Sequence, residues 1–114
     1  MKIENLKVES STLTKESEKV YSLDLGFIKK RVKSENKVKV VSNSKITDIK
    51  VTVSCSSCTK ATYDRTEDDS FNVDIAYTGS ALGSINKYVR IAYGTEGSSL
   101  KQTATINLRG VVKK

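Results

Sequence analysis

Apolar and polar residues alternate along most of the chain with a repeat of two. Between positions 21 and 27, for example, every second residue is apolar and the residues between them are small or polar. Such alternation predicts β-strands with one face in a core and the other in water. The residues predicted to face the core are Tyr21, Leu23, Leu25, Phe27, Val38, Val40, Ile49, Val51, Val53, Phe71, Val73, Ile75, Tyr77, Ile85, Val89, Ile91, Tyr93, Ala104, Ile106, Leu108, Gly110 and Val112.

A weaker first strand over Ile3–Val8 brings the predicted total to about seven strands, separated by clusters of Ser, Asn, Asp and Gly. Ser11–Lys19 is predicted to form a short turn and Thr66–Ser70 a polar loop. Strands of this kind predict an all-β fold, an immunoglobulin-like (Ig-like) β-sandwich of about seven antiparallel strands. The chain has no Pro, so only Lys side chains and pairing within the sheets protect its edge strands from pairing with other chains. An exposed edge could therefore accept an added strand from a partner.

The length of 114 residues predicts a single domain over residues 1–114, because domains cluster near ~100–150 residues. Residues 1–19 are expected to form a loosely packed N-terminal strand and turn. With 37% hydrophobic residues, the chain has enough apolar material for one core.

The charge of the chain is basic and unevenly distributed. Lys and Arg number 20 against 13 Asp and Glu, a net charge of +7 that favours acidic partners. Residues 64–74 are acidic, whereas residues 28–40 are basic. Two solvated surfaces would explain this pattern. The alternative is a polar molecule that docks its basic end on an acidic surface, and the residues predicted to do so are Lys29, Lys30, Arg31, Lys33, Lys37 and Lys39.

Candidate catalytic groups are scarce. The absence of His removes the commonest general base and metal ligand. Asp68 and Asp69 are adjacent, so in an extended chain they would point to opposite faces. Gly79 and Gly83 lack the Lys-Ser/Thr of a phosphate-binding loop. The sequence therefore predicts a protein that is not an enzyme, with no cofactor and no small-molecule substrate.

Cys55 and Cys58 are separated by two serines. Two thiols at this spacing form either a redox disulfide or half of a zinc site. Zinc needs four ligands, which two Cys without His do not supply, and a redox Cys favours a helix N-terminus, whereas Cys55 follows a predicted strand. A structural role remains, as buried thiols or as a loop disulfide, and cytoplasmic synthesis favours free thiols. No metal site is predicted.

Binding of nucleic acid is disfavoured, although the charge suits it. Of the aromatic residues, only Tyr63 and Tyr88 lie outside the predicted core rows, and two rings are too few for a base-stacking platform. Nucleic acid would therefore have to be bound through its phosphates alone. Tyr88 and Arg90 lie outward on one strand face. They are either a protein-binding patch, since Tyr and Arg are common at interface hot spots, or an ordinary exposed pair.

Neither a secretory leader nor a run of ~20 apolar residues is found in the sequence. The chain is therefore expected to be made in the cytoplasm and to have no membrane partner, unless a leader was removed. No Asn-x-Ser/Thr acceptor is present either.

From Leu23 to Val112 the chain resembles a bacterial family of Ig-like domains of unknown function, related in style to the sandwich domains of hydin and the major sperm protein. The similar segments are 24–26, 38–44, 46–51, 83–93 and 106–111, and Ser54–Thr59 is similar to the Ser-Cys-Gly-Cys-Thr signature of that family. In this chain two residues rather than one separate the Cys pair. The resemblance implies an Ig-like sandwich, and its family is usually found outside the cytoplasm.

Small Ig-like domains without leaders also resemble phage capsid decoration proteins in architecture. The function predicted from the sequence is therefore that of a non-enzymatic virion auxiliary protein, made in the cytoplasm and bound to a capsid or other virion protein at the virion surface. The basic region and Tyr88 with Arg90 would form the contact. The alternatives are a periplasmic or cell-surface Ig-like binding module and a non-specific nucleic-acid binder.

Overall fold

The structure is a computed structural model that describes residues 2–5, 12–17 and 19–114. These residues form strands joined by turns and loops, and no helix lies among them. The nine strands of the described residues are β1 (Lys2–Asn5), β2 (Thr12–Ser17), β3 (Val20–Lys29), β4 (Lys33–Val41), β5 (Ile46–Val53), β6 (Thr59–Glu67), β7 (Ser70–Thr78), β8 (Gly83–Thr95) and β9 (Gln102–Lys113).

The strands form two sheets, one of four strands in the order β1-β4-β7-β6 and one of five in the order β2-β3-β9-β8-β5. The four-stranded order matches the ABED sheet of a constant-type immunoglobulin domain, and β5, β8 and β9 take the places of strands C, F and G. The additional strand β3 runs parallel to β9. The predicted Ig-like β-sandwich is confirmed, but the described residues contain nine strands rather than about seven, and one pair is parallel.

The hydrophobic core lies between the two sheets. Phe71 of the four-stranded sheet packs edge-to-face against Tyr93 of the five-stranded sheet, with 5.8 Å between the ring centroids, and against Tyr63 at 6.4 Å. Burial raises the pKa of Tyr93, because the phenolate would lose its hydration there. The predicted core residues that are buried are Tyr21, Leu23, Leu25, Val38, Val40, Phe71, Val73, Ile75, Tyr77, Ile85, Val89, Ile91, Tyr93, Ala104, Ile106, Leu108 and Val112.

Phe27 does not face the core, and the prediction that it does was wrong: its side chain is 70% exposed. The pairing of β3 with β9 shifts between Asp24 and Phe27, which marks a β-bulge. Within the bulge, Gly26 has a φ of 71° and donates its N–H to Asp24 Oδ1 at 2.8 Å. The extra residue reverses the alternation, so that Ile28 instead of Phe27 packs against the core.

Two edge strands were not predicted. β2 lies within Ser11–Lys19, for which a short turn was expected, and it pairs with β3; Ser11 and Glu18 themselves lie outside the described residues. β6 extends to Glu67 and β7 begins at Ser70, so the predicted loop Thr66–Ser70 is reduced to a tight turn at Asp68 and Asp69. Of the predicted first strand, residues 6–8 lie outside the described residues, and β1 covers the described part.

Candidate functional site

The turn between β3 and β4, residues 30–32, lies between Lys29 and Lys33 at one end of the sandwich. Within this turn the N–H of Val32 donates to the carbonyl of Lys29 at 3.1 Å. The N–H of Lys30 donates to the carbonyl of Lys113 at 2.7 Å, which places the end of β9 beside the turn. Lys113 and Lys114, which were not predicted to belong to this site, thereby join the predicted cations. We call this group the basic end, and it consists of Lys29, Lys30, Arg31, Lys33, Lys113 and Lys114.

Arg31 holds an uncommon backbone conformation within the basic end. Its φ is 64°, in the left-handed region that usually takes glycine or asparagine. Its N–H donates to the carbonyl of Gly79 at 2.8 Å, which fixes the turn against the loop between β7 and β8. A side chain at this φ costs roughly 1–2 kcal/mol. The exposed cation Arg31 therefore occupies a position at which glycine would be less strained.

Lys33 and the two remaining predicted lysines, Lys37 and Lys39, lie along β4 on the outward face of the four-stranded sheet. Lys33 forms an ion pair with Glu35 at 3.7 Å, and Lys37 forms one with Asp74 of β7 at 3.5 Å. These pairs are exposed, so each contributes only about 0–1 kcal/mol, but they neutralise much of the charge on this face. Lys39 is half-buried farther along the same strand.

Tyr88 and Arg90 lie on β8, on the outward face of the five-stranded sheet. The guanidinium carbon of Arg90 is 5.3 Å from the centroid of the Tyr88 ring, a cation–π contact. The two sheets meet at the core, so their outward faces point in opposite directions. The structure thus brings Tyr88 and Arg90 together but separates them from Lys33, Lys37 and Lys39.

The acidic residues Glu67, Asp68 and Asp69 form a turn at the other end of the molecule. In the antiparallel pair of β4 and β7, Lys33 lies opposite Thr78, whereas Val41 lies opposite Ser70. The basic end and this acidic turn are therefore separated by the length of the sheet. The molecule measures 49 × 24 × 24 Å, so the two charged groups lie near the ends of its long axis.

The acidic turn is held in place by its backbone. The carbonyl of Asp69 accepts the N–H of Ser42, and the carbonyl of Asp68 accepts the N–H of Ile46, both at 2.8 Å. At the same end of the sandwich, Asp48 forms an ion pair and hydrogen bond with Lys101, which lowers the pKa of the Asp48 carboxyl group. This pair adds no net charge to the acidic end.

Cys55 and Cys58 are joined by a disulfide in the loop between β5 and β6. Of the two structural roles that the sequence left open, buried thiols and a loop disulfide, the structure contains the loop disulfide. The N–H of Thr59 donates to the carbonyl of Cys55 at 2.9 Å, and the N–H of Thr78 donates to the carbonyl of Cys58 at 2.8 Å. The disulfide therefore closes a turn that is also tied to β7.

A shallow groove of about 640 Å³ crosses the outward face of the four-stranded sheet above Ala76. Its walls include Lys33, Lys37 and Lys60, and the carboxylates of Glu35 and Asp74 beside them are engaged in the ion pairs described above. Among residues 2–5, 12–17 and 19–114, no three Cys, Asp or Glu side chains lie close enough to hold a metal ion.

The part of the chain that the structure describes has no helix long and apolar enough to cross a membrane. In a comparison with known proteins, no family model and no curated protein matches the chain.

Proposed function

We propose that the protein is a non-enzymatic docking module that binds an acidic protein surface through its basic end. The observation that carries this proposal is the separation of charge: six cations cluster at one end of a 49 Å molecule, and the acidic turn lies at the other. A charge dipole of this kind orients the molecule as it approaches a partner and raises the association rate. The left-handed φ of Arg31 supports the proposal, because strained backbone is often kept where a side chain has a function.

The partner that we propose is a capsid or other virion protein. A small, elongated sandwich with one basic end suits attachment to a large particle with an acidic exterior, since only its end needs to be in contact. The outward-facing sheets then remain available to solvent or to neighbouring molecules.

The contact is tested by photo-cross-linking in the cells that produce the protein. A photo-reactive amino acid replaces Val32, a 52% exposed residue between the cations of the basic end. We expect it to capture one acidic protein, identified by mass spectrometry as a virion component. Electron microscopy of purified particles should then show density for this chain on a shell or tail.

A pair of charge-reversed variants serves to separate a specific contact from general attraction. The double variant Lys30→Glu with Arg31→Glu should lose about tenfold or more of the cross-link yield. Lys19→Glu with Lys45→Glu changes the net charge equally, but these exposed residues lie near the acidic end, and this variant should retain nearly all of the yield. Equal losses in both variants, or capture of nucleic acid instead of protein, would contradict the proposal.

The disulfide favours a second candidate, an Ig-like binding module of the periplasm or cell surface. Disulfides persist in oxidising compartments and are rare in the cytoplasm, and the structure joins Cys55 to Cys58. The measurement is thiol alkylation of the protein taken directly from its source cells, followed by mass spectrometry. If both Cys residues are alkylated without prior reduction, the pair is reduced in the cell and this candidate is excluded.

A further inference from the structure

Aromatic and cationic side chains share the outward face of the five-stranded sheet near the basic end. We call the group formed by Phe27, Tyr88, Arg90, Arg109 and Lys113 the aromatic–cation face. The Nζ of Lys113 is 4.0 Å from the centroid of the Phe27 ring, and Arg109 donates a hydrogen bond to the side-chain oxygen of Asn86 at 2.5 Å. Arg90 contacts the ring of Tyr88, so each of the three cations of this face contacts an aromatic ring or a side-chain amide.

The cations of this face differ from those on the other side of the sandwich. On the four-stranded sheet, Lys33 and Lys37 are ion-paired with carboxylates. Among the described residues, Arg90, Arg109 and Lys113 form no ion pair. Contacts with rings and amides hold these cations in position without neutralising them. Asp24 also lies on this face, opposite Arg109 in register, but its carboxylate accepts the N–H of Gly26, and the three cations outnumber it. The aromatic–cation face therefore has the stronger attraction for carboxylates from outside the chain.

Phe27 supplies an exposed apolar group beside Lys113, at the end of this face nearer to the basic end. The β-bulge at Gly26 turns the ring outward, and bulges commonly redirect a side chain in this way. On the sheet surface the neighbour of Phe27 in register is Val111, which is half-buried. Together they offer an apolar spot that a partner side chain can cover.

We propose that the aromatic–cation face binds an extended acidic segment of a partner protein that carries one bulky apolar side chain. This inference rests on the proposed function, and it names the chemistry of the partner. The apolar side chain covers Phe27 and Val111, while carboxylates on either side meet Lys113 and Arg109. In register, Phe27 lies beside Val111 and Tyr88 beside Asn107. This spacing of four residues is about 13 Å, which an extended segment of similar length can follow.

The polar residues between the rings favour a protein segment over a membrane. Asp24 and Arg109, which are paired in register, lie between the two aromatic side chains, and Ser22 and Asn107 lie level with Tyr88 on the same face. The apolar area is therefore interrupted and does not suit entry into a bilayer. A peptide can use this surface, because its backbone and carboxylates hydrogen-bond to hydroxyl and amide groups.

The test is binding of a short synthetic peptide of Asp and Glu with one central Leu, measured by isothermal titration calorimetry and by ¹⁵N NMR of the full chain. A second peptide has Ser in place of the Leu. We expect the Leu peptide to bind at least about tenfold more tightly, and its binding to shift the amide signals of β3, β8 and β9. Phe27→Ser should abolish the difference between the two peptides.

Matched substitutions show whether the face itself is responsible. Leu100→Ser removes a side chain as exposed as Phe27, 74% against 70%, near the acidic end, and should leave binding unchanged. Arg90→Gln with Arg109→Gln should weaken binding about tenfold or more, whereas Lys37→Gln with Lys60→Gln on the opposite face should weaken it less than about twofold. Far-ultraviolet circular dichroism verifies that each variant is folded.

The inference is overturned if the two peptides bind equally, if the control variants lose as much affinity as the test variants, or if neither peptide binds. It is also overturned if the chain binds phosphatidylserine vesicles through Phe27 but does not bind the peptide. None of these results affects the cross-link at position 32, which tests the proposed function separately.

Discussion

Replacing Phe71 by alanine is expected to destabilise the protein by about 3–5 kcal/mol. The side chain is fully buried on β7 and packs against Tyr93 of the opposite sheet and Tyr63 of the neighbouring strand. Its removal leaves a cavity where the two sheets meet, because the rings around it belong to different strands and cannot all move inward. Urea denaturation followed by circular dichroism measures the loss.

This loss is large compared with the stability of a typical domain, about 5–15 kcal/mol. The matched control is Leu100→Ala, which truncates an exposed side chain and should change stability by less than about 0.5 kcal/mol. A cost below about 1 kcal/mol for Phe71→Ala would mean that this ring does not join the two sheets as described.

Gly110→Ala is the second substitution with a large expected effect, about 2–5 kcal/mol. Gly110 has a φ of 144°, which side chains rarely adopt, and a Cβ atom there would lie 2.7 Å from the carbonyl oxygen of Gly26. That oxygen belongs to the backbone of the bulge in β3, so it cannot move aside as a flexible side chain would. Thermal and urea unfolding give the cost.

Gly83→Ala separates the cost of an unfavourable φ from the cost of a steric clash with neighbouring atoms. Gly83 has a φ of 120°, but a Cβ atom there meets nothing within 4 Å. The substitution should therefore destabilise the protein only through the unfavourable φ, by about 1–3 kcal/mol. If Gly110→Ala costs no more than Gly83→Ala, the close approach of β9 to the bulge has no energetic importance.

The core residues were predicted correctly from the sequence in most strands that have one buried face and one solvent-exposed face. In β7, for example, residues 71, 73, 75 and 77 are buried and their rows were evident. β6 was missed because it is an edge strand: most of its residues are exposed on both faces, so its sequence Thr59–Glu67 has no period of two. Alternation detects burial rather than strand geometry itself.

The orientation of Phe27 could not be predicted because it depends on pairing between distant parts of the chain. Residues 21–27 alternate perfectly, and Gly26 looks like one more small residue on the wet side. The bulge at Gly26 becomes evident only from the shift in pairing with β9, where Gly110 approaches the backbone of Gly26. Gly26 and Gly110 are both visible in the sequence, but the sequence alone does not reveal that their backbones lie against each other.

The candidate site was predicted in part. The separation of basic and acidic segments was visible, and the structure places the basic turn and the acidic turn at opposite ends. Nothing in the sequence indicated that Lys113 lies beside Lys30, because almost three-quarters of the chain separates them. The assignment of Lys37 and Tyr88 to opposite sheets likewise depends on the connections between strands.

The parallel pairing of β3 with β9 joins an early strand of the chain to the last one. Contacts between residues so distant in sequence form slowly, because a long loop must close first. During synthesis, residues 20–29 must wait for residues 102–113 to leave the ribosome before this pair can form. Phe27 and Lys113 therefore come together only after translation of the last strand, and a prematurely terminated chain would lack the surface that they share.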